Sequence, residues 1–110
     1  MMDQRVQHVV SFIRKNYQRK LTLREMAETV NLSPWWLCHL FKAHMGTSPE
    51  RFVAKLRLEK ARELLENSFL SVKEVMIDVG MSDPGHFSRS FKVAYGVTPA
   101  KYREQVSRKP

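Results

Sequence analysis

The side chains able to do chemistry in this chain of 110 residues are few and unevenly placed. Its four histidines, His8, His39, His44 and His86, show no metal-ligand spacing. Cys38 and His39 are adjacent, so on a helix they point to different sides. No glycine-rich phosphate loop and no pair of inward carboxylates occurs, so no catalytic centre, cofactor or metal is expected and an enzyme has nothing to work with. What remains are two short stretches rich in aromatic, basic and hydrogen-bonding groups. One holds Trp35, Trp36, Cys38, His39 and Lys42; the other holds Gly85, His86, Ser88, Arg89 and Lys92. An arginine fork matches guanine O6 and N7, an exposed aromatic suits a thymine methyl or a sugar, and lysines anchor phosphates. The chemistry on offer is recognition of nucleic acid.

The charge agrees. Nineteen Lys and Arg against eleven Asp and Glu give +8 and a pI near 10.0. Residues 1–55 carry +5 and residues 56–110 carry +3, so the surplus is not a tail on a neutral domain. A polyanion is the expected partner, nucleic acid or an acidic membrane face. The single cysteine excludes an internal disulfide framework and a Cys-based zinc finger. No 18-residue apolar run and no charged-then-apolar leader is present, so a cytoplasmic protein that does not span a membrane is expected.

The elements that position these residues read as all-α. Val6, Val9, Val10, Ile13 and Tyr17 make one apolar helical stripe. Thr22-x-x-Glu25 is a capping box opening a short helix with Leu23, Met26, Ala27 and Val30 on one side. Ser33-Pro34 starts a helix that runs to Gly46, and Ser48-Pro49 starts a long one ending near Asn67 with Phe52, Val53, Leu56, Ala61, Leu64 and Leu65 inward. The same grammar then returns. Ser71-x-x-Glu74 repeats the capping box 49 residues on; Asp83-Pro84 repeats Ser33-Pro34 at 50, as Phe91-Lys92-x-x-x-Gly96-x-Thr98-Pro99 repeats Phe41-Lys42-x-x-x-Gly46-x-Ser48-Pro49. The turn is one residue longer in the second copy. This is a helix-turn-helix present twice: subdomains over 5–48 and 68–106, a linker helix over 49–67 and a basic tail over 107–110.

In the first copy Leu37, Leu40, Phe41 and Met45 are expected inward, and in the second Phe87, Phe91, Ala94 and Tyr95. Two adjacent tryptophans cannot both enter one small core, so at least one of Trp35 and Trp36 should be exposed, the other being free to cap the core. Arg89 reads a base, is a solvated surface charge, or pairs with Asp83. Lys42 and Lys92 are phosphate anchors or ordinary surface lysines. His86 is a contact or is half-covered by Phe87, and Cys38 is a small half-exposed residue or a redox-sensitive one.

Over residues 5–105 the chain resembles the DNA-binding domain of AraC/XylS-type bacterial transcription regulators. The likeness is carried by Leu23-x-x-Met26-Ala27, Leu32-Ser33-Pro34-x-x-Leu37-x-x-x-Phe41-Lys42, Gly46-x-Ser48-Pro49 and Arg57-Leu58-x-x-Ala61-x-x-Leu64-Leu65. It continues through Glu74-Val75, Val79-Gly80, Asp83, His86-Phe87-Ser88-Arg89-x-Phe91-Lys92, Gly96-x-Thr98-Pro99 and Tyr102-Arg103. The resemblance implies about seven helices and a sequence-specific regulator, an activator contacting RNA polymerase. Its two recognition helices would enter successive major-groove segments of an asymmetric site in double-stranded DNA. Such a domain would act as a monomer unless joined to a dimerising module. By position, Trp35, Trp36, Cys38 and His39 match the reading residues of the first recognition helix, and Gly85, His86, Ser88 and Arg89 those of the second. Met76, Met81 and Gly85 depart from the family pattern, and Gly85 removes one possible base contact. The alternative is a non-specific nucleic-acid or protein interaction module. A complete small regulator and the DNA-binding end of a longer one are both compatible with these residues.

Overall fold

In the computed structural model, residues 2–107 are described, and among them seven helices and no strand occur. They are α1 (Gln4–Asn16), α2 (Leu23–Glu28), α3 (Pro34–Met45), α4 (Pro49–Asn67), α5 (Val72–Asp78), α6 (Pro84–Tyr95) and α7 (Pro99–Ser107). Two compact units divide the chain between Leu56 and Arg57, inside α4, so the long helix lends its first part to one unit and its second to the other. Ser107 ends α7, and the remainder of the expected tail, 108–110, lies outside the described residues.

Helix ends are written locally in the sequence. The Trp36 amide donates to Ser33 Oγ and the His86 amide to Asp83 Oδ1, both at 3.1 Å, filling one of the free amides that every helix start leaves. Gly46 and Gly96 close α3 and α6, their amides donating to the Lys42 and Lys92 carbonyls at 2.9 and 2.7 Å. The complete capping box forms only in the second copy, where the Ser71 amide donates to Glu74 Oε1 (2.8 Å) and the Glu74 amide to Ser71 Oγ (3.1 Å). In the first, the Glu25 amide reaches Thr22 Oγ1, but Arg19 captures the Glu25 carboxylate at 2.7 and 3.1 Å. That guanidinium is the main reason the Glu25 carboxyl is held below its ordinary range.

The turns between α2 and α3 and between α5 and α6 have one design. Asn31 (φ 56°) and Gly80 (φ 89°) take the left-handed conformation, and the next residue's amide reaches back five residues: Leu32 to the Ala27 carbonyl, Met81 to that of Met76, each at 3.0 Å. The copies therefore match through Leu32 and Met81. The extra residue of the longer turn, Ser82, falls just before the Asp83 cap.

The core of the first unit is Val6, Val9, Ile13, Met26, Ala27, Leu37, Phe41, Val53 and Leu56. Val10, Tyr17, Leu40, Met45 and Phe52 pack half-buried around it. The second unit encloses Leu58, Ala61, Leu65, Val75, Met76, Val79, Phe87 and Phe91. One ring pair recurs at the 50-residue offset: Phe41 against Phe52 and Phe91 against Tyr102, each with centroids 5.7 Å apart and edge to face. Two expectations change. Ala94 is exposed, because the Tyr95 ring takes the inward direction at the end of α6, 4.8 Å from Phe91. Leu58, which the expected stripe omitted, is buried.

Arg103 on α7 is a structural residue. Its Nε and Nη2 donate to the carbonyls of Leu65 and Leu70, both at 2.8 Å. Leu65 belongs to the last turn of α4, whose carbonyls have no partner within the helix. Arg103→Met keeps the aliphatic stem and removes both bonds. It should lower the unfolding free energy in urea by about 2 kcal/mol, the scale for hydrogen bonds to a charged group that is partly buried. Unchanged stability would show that water replaces the arginine without loss.

Candidate nucleic-acid interface

The fold brings the candidate residues together as two separate groups, each on the second helix of a helix-turn-helix. The cause is the same in both. Leu37 and Phe41 on α3, and Phe87 and Phe91 on α6, are fully or almost fully enclosed and fix the rotation of their helices. A turn of 3.6 residues then places His39 and Arg89 roughly 160° from the buried Phe, and Lys42 and Lys92 about 100° from it. Trp35, Trp36, His39, Lys42, His86, Arg89 and Lys92 are all exposed, and Cys38, Gly85 and Ser88 lie half-buried at the edge of the face. His86 is thus not covered by Phe87.

On α3 neither tryptophan caps the core. Trp35 is 63% and Trp36 44% exposed. Their rings stack, with centroids 5.9 Å apart and planes 22° from parallel. Trp35 also leans on the His39 ring at 4.0 Å, and His39 Nδ1 lies 3.3 Å from the Trp35 carbonyl. The first turn of α3 therefore presents an ordered aromatic platform with a hydrogen-bonding ring at its edge and Lys42 one turn on.

On α6 the chemistry is cationic. The Arg89 side chain runs back along the helix over Gly85, near the Asp83 carboxylate that caps the helix. The Asp83 carboxyl is held below its ordinary range chiefly by the His86 amide, with the Gly85 amide, Arg89 and His86 adding to the effect. Asp83, a cap by its sequence context, is thereby also a neighbour of the exposed face that carries Arg89. The first turn of α6 offers a five-donor fork where α3 offers rings, with His86 and Lys92 beside it.

Among the described residues, no three His, Cys, Asp or Glu side chains converge as a metal site, and no helix is long and apolar enough to cross a membrane. Buried polar or charged side chains are absent among the described residues, so the charge of each unit is displayed at its surface.

Comparison with known proteins agrees with this geometry. A family model described as a helix-turn-helix domain matches residues 26–105. The chain is 38% identical over 97 residues to the raffinose operon transcriptional regulatory protein RafR of Pediococcus pentosaceus, covering 88% of this chain and 35% of that protein. It spans little more than a third of the length of the curated relatives it matches. Among solved structures, the C-terminal domain of AraT, a response regulator from Geobacillus stearothermophilus, superposes with a TM-score of 0.89 at 35% identity, over 94% of this chain and 87% of that one. The DNA-binding domain of AdpA, solved in complex with a target DNA, superposes with a TM-score of 0.90 at 25% identity, over 96% of both chains. Seven helices, a repeated capped turn and a family match over most of the chain agree: it belongs to the AraC-type helix-turn-helix family of transcription-regulator DNA-binding domains, a family of DNA binders and not of enzymes.

Proposed function

We propose that this domain binds double-stranded DNA sequence-specifically, with α3 and α6 as recognition helices entering successive major-groove segments. The observation that carries the reading is that two helices with matching caps, stops and buried phenylalanines present different chemistry in their first turns: Trp35, Trp36 and His39 on one, His86 and Arg89 on the other. Recognition helices meet base edges with their N-terminal residues. Unlike faces read unlike sequences, so a monomer prefers an asymmetric site. Trp35 and Trp36 supply apolar contact for thymine methyls, with His39 and Cys38 at the platform edge. Arg89 pairs with a guanine, and His86 and Ser88 contribute shorter contacts. Lys42 and Lys92 hold phosphates. The subdomains lie over 5–48 and 68–106, joined through the helix at 49–67. The regulator works in the cytoplasm, as an activator contacting RNA polymerase, and a palindromic site would require a dimerising module outside this chain.

Selection from random duplex DNA at physiological salt tests the reading. The expected product is an asymmetric motif with two read patches about 10 base pairs apart, bound at least ~10³-fold tighter than a scrambled duplex. Steeply salt-dependent binding with no motif would instead mark a non-specific polyanion binder. On the selected site, Arg89→Ala should cost about 1–3 kcal/mol and relax preference at one position, while Lys92→Ala should weaken all sequences alike and reduce the salt slope by about one unit. Equal loss on every sequence would make Arg89 a phosphate contact. Trp35→Ala should leave the unfolding free energy within about 1 kcal/mol of wild type, against about 3–5 for an aromatic truncated in a core. Its effect should appear instead as weaker binding at a thymine-containing patch.

A further inference from the structure

We propose that Gly85 sets the base preference of α6 by leaving vacant the space in which the Arg89 guanidinium lies. The inference rests on the reading of Arg89 as a base contact. Gly85 stands in the first turn of α6 and is not among the residues with positive φ, so the backbone does not require glycine there. Glycine is also the poorest helix former after proline, so helix stability disfavours it. Its effect is on volume. A Cβ at position 85 would stand 3.0 Å from Arg89 Nη1, 3.8 Å from Arg89 Cζ and 3.4 Å from Asp83 Oδ1. The nearest obstacle is the end of a flexible side chain: a Cβ would move the guanidinium by a few tenths of an ångström, and a longer side chain would compete for its place.

The other copy solves the same geometry in reverse. At the 50-residue offset Trp35 matches Gly85 and His39 matches Arg89. Residues four apart share a helix face, and long side chains lean toward the helix N-terminus. On α3 the earlier residue of the pair is large and its ring covers the space, with His39 leaning on it at 4.0 Å. On α6 the earlier residue is absent in all but backbone, and the later side chain lies across the gap toward the Asp83 carboxylate. That carboxylate attracts the guanidinium toward the first turn, the part of a recognition helix that faces base edges. Gly85 is therefore a positioning residue acting through Arg89, and its small size confers the contact where it first suggested a lost one.

The test uses this chain on its selected duplex and on single base-pair replacements of it, with Gly85→Ala, Gly85→Leu, Arg89→Ala and the Gly85→Leu/Arg89→Ala double variant. Thermal midpoints of both Gly85 variants should equal or exceed that of wild type, because alanine and leucine are better helix formers. Arg89→Ala should lower discrimination at one base pair by about 5- to 150-fold, the scale of one bidentate contact. Gly85→Ala should lower discrimination partially at that same pair and Gly85→Leu nearly as far as Arg89→Ala, and in the Arg89→Ala background Gly85→Leu should change it no further. The inference is overturned if Gly85→Leu keeps the wild-type preference at that pair, acts at a different pair, or acts undiminished without Arg89. A wild-type chain with no sequence preference would overturn the DNA reading along with it; one with a clear motif indifferent to position 85 would overturn this inference alone.

Discussion

Phe41 and Phe91 are completely enclosed, and the rotation of a helix about its axis follows from which residue it cannot afford to expose. Each ring is held edge to face by a ring from the following helix, Phe52 or Tyr102. Turning α3 or α6 by one residue, about 100°, would drive that phenylalanine toward solvent and, in one direction, bring Lys42 or Lys92 into its place. Truncating such a core ring costs about 3–5 kcal/mol, a large share of the stability of so small a domain. The orientation of the exposed face of each helix is therefore set by the core, and the exposed residues need contribute nothing to it. Their chemistry can differ between copies while their geometry stays fixed.

Caps supply the second coordinate. Rotation alone would leave each helix free to start a residue early or late, which would move the reading side chains along the axis. Ser33 and Asp83 fix the starts, Gly46 and Gly96 the ends, and both helices are 12 residues long. The preceding turns use the same left-handed residue and the same five-residue return bond, so Ser82 is accommodated without disturbing α6. Asp83 is a more consequential cap than Ser33. It brings a negative charge to the first turn, where the helix dipole favours it, and that charge lies beside the arginine on the reading face.

What was legible in the sequence is what local rules govern. Capping residues, glycine stops and apolar periodicity act within a few positions, and they yielded the all-α class, the helix-turn-helix repeat and the outward residues of α3 and α6, while the count of about seven helices came with the family resemblance. Three features escaped because they depend on residues distant in sequence or on competition between partners. Arg103 reaches Leu65 and Leu70, more than 30 positions away, and no spacing rule connects an α7 arginine to the end of α4. Thr22-x-x-Glu25 satisfies the capping-box pattern, but Arg19 offers Glu25 a charged partner against a neutral amide, and the box stays incomplete. Periodicity placed Ala94 inward, yet at a helix end the larger Tyr95 side chain fills that direction.

The two tryptophans pose the converse question, of residues present that folding does not need. The core of the first unit closes with Leu37 and Phe41 on α3, and neither indole is enclosed by it. Leaving large apolar rings in water forgoes the burial that normally accounts for an aromatic residue and exposes a surface prone to association. What they gain in the free domain is each other and His39: Trp35 stacks on Trp36 at 5.9 Å and lies tilted against His39 at 4.0 Å, so the three rings form one contiguous surface. A surface already ordered before contact loses little further conformational entropy when a partner covers it. Rings also carry few rotatable bonds for their area, in contrast to the long, exposed Arg89 on α6, which lies over Gly85. On the proposed reading, the two helices differ in how they use the space between positions four apart: α3 fills it with the Trp35 ring and α6 leaves it open at Gly85.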